Sequence, residues 1–471
     1  MDKVLIARDQ EIKELNRMMK SDRSEFVAVY GRRRVGKTFL IRKFFEDRFD
    51  FYMAGIANCG FQEQLNEFNK ALAKYGCDKK AANWFDAFNY LSEILSMNPE
   101  FKKVVFIDEM PWLDTPKSNF IQALEHFWNS WGSAQNNIKF IVCGSSASWI
   151  TNKLINNHGG LHNRLTYRIE VLPFTIEDCK KYFKSRKFSL NDMQIAQCYM
   201  IMGGIPFYLD FLDPEIPFSK NIDRLFFDRR GYMRTEFDNL YSSLFKNCEE
   251  YIKVVEILSE KKKGLSRKEI LDNFGKATSG TLSQILDNLE LCEFIRSYYS
   301  YGKDTRDKMF QLIDPYTLFY FHFIKNKKIN DEDYWTLSIN SPEVNSWLGY
   351  AFEIFCLNHI KKIKELLGIS GIITNVFSWI YNPKDDQGVQ IDLVIDRADG
   401  YANICEIKHS KSQFVFSKAY YEKMNYNINT FMEKSKPRKS PIFTMITTNG
   451  VKLNEHSQIV QKEITLGQIL K

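Results

Sequence analysis

Apolar residues fall along this chain in two rhythms. Short unbroken runs, FVAVY at 26–30, VVFI at 104–107 and FIVC at 140–143, read as buried strands. The run FDFYMAGI at 49–56 reads as a further strand, and helical stretches follow it before the 104–107 run. From Glu249 the rhythm changes to short helices, EEYIKVVEILSEKK, LSRKEILDNF and TSGTLSQILDNLELCEFI, and then to two strands around a polar turn. In the third of these helices Leu282, Ile285, Leu286 and Leu289 recur at helical spacing, and Ser266 followed by Glu269 marks the start of the second as a capping box. Near the C-terminus WLGYAFEIFCLNHIKKI reads as an amphipathic helix with Glu353 near its start, and QIDLVIDRADGYANICEIK reads as two strands joined by Ala-Asp-Gly. A chain of 471 residues with this succession predicts an α/β protein of several domains.

Composition narrows the class. With 44% hydrophobic and 26% charged residues the chain is expected to fold, and its net charge of +7 permits nucleic-acid binding without arguing for it. Nine cysteines with no Cys-x-x-Cys spacing point to neither a zinc knuckle nor a redox pair. An odd count also argues against a secreted disulfide framework, so a cytoplasmic protein is expected. The charged start and the lack of any apolar run near the roughly 20 residues of a membrane span predict no membrane association.

The 31–38 stretch GRRRVGKT, set between a strand and a helix, fits G-x-x-x-x-G-K-[ST]. Gly31 and Gly36 let the backbone wrap phosphates, with Arg32, Arg33, Arg34 and Val35 completing the loop. Lys37 reaches the β and γ oxygens of ATP, and Thr38 is placed to hold Mg²⁺. Such a loop needs an acid for its metal, and VVFIDE supplies Asp108 for Mg²⁺ and Glu109 to polarise the attacking water. The strand falling between these two elements in sequence is the sign of an ATPase with a glutamate base. Gly144-Ser145-Ser146 ends the next strand, and either serine could bond the γ-phosphate or the water. A serine-rich turn that satisfies its own backbone reads equally well. Arg164 and Arg168 are candidates for the developing phosphate charge, in cis or from a neighbouring subunit.

GRRRVGKT, VVFIDEMPWL, FIVCGSSASWI, NRLTYRIEVLPF and MGGIPFYL, in this order and spacing, resemble the prokaryotic AAA+/STAND-like ATPases of archaeal type over about residues 1–240. The resemblance implies that Gly203-Gly204-Ile205-Pro206 opens a helical lid, with Pro206 against the adenine. From the residues alone the stretch is a Gly-Gly-x-Pro break between helices.

Three helices and a hairpin after Glu249 predict a winged helix-turn-helix. In its DNA-binding form Ser279, Thr281, Ser283 and Gln284 face a major groove, and Lys303, Arg306 and Lys308 of the wing meet phosphates. The same module also serves as a spacer in ATPases of this kind.

A turn centred near Asp399 sets Asp392 opposite Glu406, with Lys408 on the same face. Opposed carboxylates need a cation, which fits Mg²⁺ held by Asp392 and Glu406, Lys408 orienting the water, and Glu353 adding a ligand. An acid, then Asp, thirteen residues and Glu-x-Lys resembles the PD-(D/E)xK nuclease fold over about residues 340–471, with Ile391 where the proline of that name would stand. The alternative is an inactive copy kept for binding or packing. Lys418, Tyr420 and Lys423 on the following helix are candidate phosphate contacts.

The expected architecture is therefore an ASCE-type P-loop ATPase core (1–173), a helical lid (174–245), a winged helix (246–315) and a restriction-endonuclease-like α/β domain (316–471). The expected function is ATP hydrolysis acting on DNA, with ATP and Mg²⁺ as cofactors and homo-oligomers possible. The competing reading is a nucleotide-controlled regulatory switch whose C-terminal module only binds.

Overall fold

Phe26 to Val29 have no exposed surface, and a strand with no wet face belongs inside a sheet covered on both sides. In the computed structural model, which describes residues 5–97, 100–157, 159–275, 279–299, 308–325, 331–383, 388–436 and 438–471, that strand is β1 (Glu25–Tyr30). With β2 (Phe51–Ala54), β3 (Lys103–Asp108), β4 (Ile138–Gly144) and β5 (Tyr167–Glu170) it forms a parallel sheet of order β2-β3-β4-β1-β5. The chain divides into one unit of Met1–Pro173 with Ser242–Lys246 and a second of Phe174–Tyr241 with Asn247–Lys471.

The order of these strands in space differs from their order along the chain. β2, which lies between the loop strand and the acid-bearing strand in sequence, takes the sheet edge, and β4 lies between β1 and β3 in space. Burial accords with this order: β4 is buried at all seven positions, whereas β2 has four residues and its alternate positions are wetter. The consequence is that Ser145, directly after β4, sits between the phosphate loop and the acids.

The second unit contains the helices Cys248–Ser259, Arg267–Phe274 and Ser279–Leu291 with β6 (Leu265–Ser266), β7 (Ile295–Tyr299) and β8 (Lys308–Leu312), paired antiparallel in the order β6-β8-β7. Ser266 and Glu269 form the capping box read from the sequence, and the Leu282, Ile285, Leu286 and Leu289 stripe is buried. Ser283 accepts a bond from Arg267 at 3.0 Å and Lys308 pairs with Glu290 at 3.5 Å, so both are engaged inside the module. Lys303 and Arg306 lie outside the described residues, as does the side chain of Ser279.

Further on, β9 (Thr374–Tyr381), β10 (Val389–Arg397) and β11 (Tyr401–Lys408) run antiparallel, and β11, β13 (Ser440–Thr447) and β15 (Lys462–Thr465) run parallel, in the order β15-β13-β11-β10-β9. The helix Lys418–Ser435 makes the crossover between β11 and β13 that a parallel pair requires. β12 (Phe414–Val415) and β14 (Val451–Lys452) pair separately. The Leu393–Cys405 and Val394–Ile404 pairs, extended by one residue, set Asp392 opposite Glu406, the register expected of a turn centred on Asp399. Glu353, in contrast, lies towards the C-terminal end of its helix, which runs Pro342–Asn358 and starts at a Ser341 cap followed by proline. That start signal precedes the apolar text from which the helix was read. Among the described residues no helix is long and apolar enough to cross a membrane.

Candidate active site

The loop from Gly31 to Thr38 is built around two glycines at positive φ, where other residues would be strained. Gly31 has φ +134, and a Cβ there would meet the Val171 carbonyl oxygen at 2.3 Å; Gly36 has φ +91 and precedes the helix Lys37–Phe44. Arg34 also sits at positive φ, a conformation that costs on the order of 1–3 kcal/mol in a non-glycine residue. Arg32 and Val35 turn inward and are buried, while Arg33 is half-buried. The result is a curved backbone at a helix N-terminus, the arrangement that receives phosphate. Lys37, 4% exposed, donates to the carbonyls of Gly31 at 3.0 Å and Arg32 at 2.9 Å, so its ammonium is held within the loop.

Across from the loop, Thr38 Oγ1 donates to Asp108 Oδ2 at 2.8 Å. Asp108 is 4% exposed; burial pushes its carboxyl up, while the Thr38 hydroxyl and the Glu109 amide draw it back. A hydroxyl and a buried carboxylate in contact, with Lys37 engaged elsewhere, fit a divalent cation. Glu109 sits at φ 46, a left-handed turn at the strand end that leads its side chain to Ser145. Ser145 donates through its backbone N–H to Oε2 at 3.1 Å and through its hydroxyl to Oε1 at 2.5 Å, and Lys37 reaches Ser145 Oγ at 3.4 Å. Of the two serines read as candidates, Ser145 joins this cluster, whereas Ser146 caps the short helix at Trp149.

Other expected residues stand elsewhere. Arg164 and Arg168 are exposed, Arg168 on β5. Pro206 opens a short helix of the second unit, where Gly204 is pinned by a bond from Phe174 N at 2.6 Å. One residue was not foreseen. Arg8, at φ 80 and 9% exposed, donates to the Val35 carbonyl at 2.8 Å and to the Leu172 carbonyl at 2.7 Å, tying the loop to the chain after β5. Nothing marks it in the sequence beyond a basic residue before a helix with an acidic first turn.

In the second unit the polar hairpin gathers the acids and lysine expected of it, together with one lysine that was not. Asp392 lies where the β9–β10 register shifts, an irregularity of the kind that re-aims a side chain. Its Oδ2 accepts from the Ile407 amide at 3.2 Å and its Oδ1 from Lys263 Nζ at 3.1 Å. The same ammonium lies 2.6 Å from Glu353 Oε2. Glu406 accepts from the Tyr420 hydroxyl at 2.6 Å and pairs with Lys408 at 2.6 Å, so Tyr420 serves this cluster, while Lys418 and Lys423 are exposed. Burial would raise Asp392, but the Lys263 and Lys408 ammoniums outweigh it and hold the carboxyl low. Burial and the Asp392 charge hold Glu353 and Glu406 high. Each carboxylate thus already faces a cation, and among the described residues no group of three or more His, Cys, Asp or Glu is arranged to hold a metal. A divalent ion does not fit this arrangement. Lys263 belongs to a Lys-Lys-Lys-Gly run at the end of helical text, so its burial was not to be seen from its neighbours in the chain.

Residues 5–212 match a family model described as "ATPase domain predominantly from Archaea". An uncharacterized protein of Methanocaldococcus jannaschii, MJECL04, is 24% identical over 416 residues, 86% of this chain and 87% of the relative. The Walker-type ATPase PABY2304 of Pyrococcus abyssi is similar in structure at a TM-score of 0.50 and 18% identity, over 67% of this chain and 96% of that one. The ORC2 protein of Aeropyrum pernix, in ADPNP-ADP complexes, aligns over 72% of this chain and 98% of its own at 11% identity and a TM-score of 0.44. The phosphate loop, the paired acids and the strand order agree with the match of residues 5–212 to that model, and the chain is an ATPase.

Proposed function

We propose that this ATPase acts on DNA, with its nucleotide site driving a winged-helix module and a nuclease-like C-terminal module. The observation that carries the reading is the joined cluster Lys37, Thr38, Asp108, Glu109 and Ser145, in one chain with a β6-β8-β7 helical module and a mixed sheet holding Asp392, Glu406 and Lys408. In this reading the loop amides and Lys37 grip the β and γ phosphates. Thr38 and Asp108 would hold Mg²⁺, which when bound neutralises charge on those oxygens. Glu109 orients and deprotonates the water, and Ser145 keeps Glu109 in place until the γ-phosphate offers the serine a new partner. The exposed Arg164 and Arg168 suit a neighbouring copy's phosphate in a homo-oligomer.

Support for DNA comes from the three-helix module, whose third helix presents the exposed Gln284, and from Lys418 and Lys423 on the crossover helix. The test is ATP turnover and gel-shift binding with supercoiled, linear, single-stranded and branched DNA, for wild type and Asp392→Ala. Turnover that rises with DNA supports the reading. A rate indifferent to every DNA form, with no shifted complex, contradicts it.

A second reading, a nucleotide-controlled switch with an inactive nuclease-like binding module, is favoured by Lys263 lying between Glu353 and Asp392. It predicts slow turnover, nucleotide retained through purification and no cleavage.

A further inference from the structure

Two neighbouring strand ends of the C-terminal sheet are laced together. β11 and β13 run parallel with Lys408 beside Thr447, and the turns that follow them meet at Ser410 and Thr448. The Ser410 amide donates to Thr448 Oγ1 at 2.8 Å, and the Thr448 hydroxyl donates to the Ser410 carbonyl at 2.6 Å. Asn449 Nδ2 donates to the same carbonyl at 2.6 Å. His409, Lys411 and Asn449 are thereby held just beyond the carboxyl ends of two parallel strands, where open α/β sheets receive ligands.

A cavity of about 320 Å³ opens there, at the lower end of the roughly 300–1,000 Å³ of small-molecule pockets. Its apolar wall is Leu348, 1% exposed, from the helix Pro342–Asn358, with half-buried Ile339 and with half-buried Met193 from the helix Asp192–Met202. The polar wall decides the ligand. Lys411 is the charged residue of the lining, and no carboxylate lines the cavity among the described residues. Its ammonium donates to Asn340 Oδ1 at 2.5 Å, a neutral partner, so its charge is placed without being neutralised. That bond uses the oxygen of Asn340 and leaves its N–H groups for a ligand. Gln197 on the same wall makes no side-chain hydrogen bond among the described residues, and buried His409 Nε2 has no partner among them. An ammonium with amide donors beside an apolar wall matches an anionic head on an apolar body, whereas a cationic ligand would be repelled by Lys411.

We infer that this cavity binds a small organic anion, a carboxylate or a phosphate ester about the size of a bicyclic ring, with Lys411 and the Asn340 amide on its head and Met193, Ile339 and Leu348 against its body. The inference goes beyond the DNA reading and does not rest on it. An occupant touches the helix Asp192–Met202, the helix Pro342–Asn358 and both strand ends at once, so its binding also raises the thermal midpoint of the chain.

The test is calorimetric titration of the full chain with 1-naphthyl phosphate and 1-naphthoate, beside neutral 1-naphthol and inorganic phosphate. At least one of the two organic anions should bind with one equivalent, at least about tenfold more tightly than either control, and the one that binds identifies the head group. Lys411→Met and Lys411→Glu, at an exposed position, should each weaken that binding about tenfold or more. Gln197→Trp should block the cavity. Lys37→Ala should leave the binding unchanged, which separates this cavity from the phosphate loop. Either control binding as tightly as the organic anions overturns the anion assignment. Affinity unchanged in both Lys411 variants, or lost in a folded Lys37→Ala chain, puts the ligand elsewhere and overturns the site. Failure of both organic anions to bind overturns the inference outright. If Gln197→Trp does not fold, the two Lys411 variants decide.

Discussion

Ser145 holds Glu109 by two bonds, one from its hydroxyl at 2.5 Å and one from its amide at 3.1 Å, while Lys37 touches the same hydroxyl at 3.4 Å. The proposed base is thus tied to the residue that would sense the γ-phosphate. Ser145→Ala removes the hydroxyl bond and keeps the amide. Turnover should fall roughly ten- to a hundredfold, with nucleotide affinity within a few-fold of wild type. An unchanged rate, measured by phosphate release, would separate Ser145 from the chemistry.

The two loop glycines should respond differently to alanine. Both sit at positive φ, but only at Gly31 would the added carbon strike backbone, at 2.3 Å from Val171 O, whereas Gly36 faces open space. Gly36→Ala should cost about 1–2 kcal/mol of backbone strain. Gly31→Ala should cost more and abolish nucleotide binding. Thermal unfolding and nucleotide binding of the two variants decide it, and equal losses would mean that the contact is relieved by a small shift.

Arg8 offers a third check. Its guanidinium reaches both Val35 O and Leu172 O, so Arg8→Ala leaves two carbonyls to find new partners. We expect a loss of about 1–3 kcal/mol together with weaker nucleotide binding, because Val35 lies in the phosphate loop. Arg8→Lys cannot span both acceptors and should recover little. Calorimetric titration with ADP reads the affinity, and an Arg8→Ala chain with wild-type affinity would limit Arg8 to stability.

A fourth prediction concerns acid. Ile176 N donates to His359 Nε2 at 3.0 Å, so the ring is neutral, with Nδ1 directed at Phe355 O. Burial pushes its pKa down to about 4. A depressed histidine stabilises the fold above its ordinary value of 6.5, and that contribution is lost as pH falls towards 4, up to roughly 3 kcal/mol. His409, likewise pushed down by burial to about 4, adds in the same direction. Urea unfolding from pH 7.5 to 4.5 should therefore show falling stability, less steeply in His359→Gln. Identical slopes in the two chains would rule the histidine out.

How much of this was legible in the sequence depended on the range of the signal. The phosphate loop, its acids and the Ser266 capping box are local, and each was placed by residues within a few positions of it. The Asp392–Glu406 register was legible because a tight turn at Asp399 fixes pairing by counting. What failed needed distant partners. Lys263 and Arg8 act through carbonyls and carboxylates far along the chain, and a lysine run or a lone arginine reads as surface until the fold buries it.

The most direct test of the nucleotide site is Glu109→Gln, which keeps the size of the side chain and one oxygen to accept from Ser145 while removing the base. If Glu109 deprotonates the water, this chain should bind ATP within a few-fold of wild type and hydrolyse it at least about a hundredfold more slowly in single-turnover assays. Turnover at the wild-type rate would contradict the account and move the base to another residue.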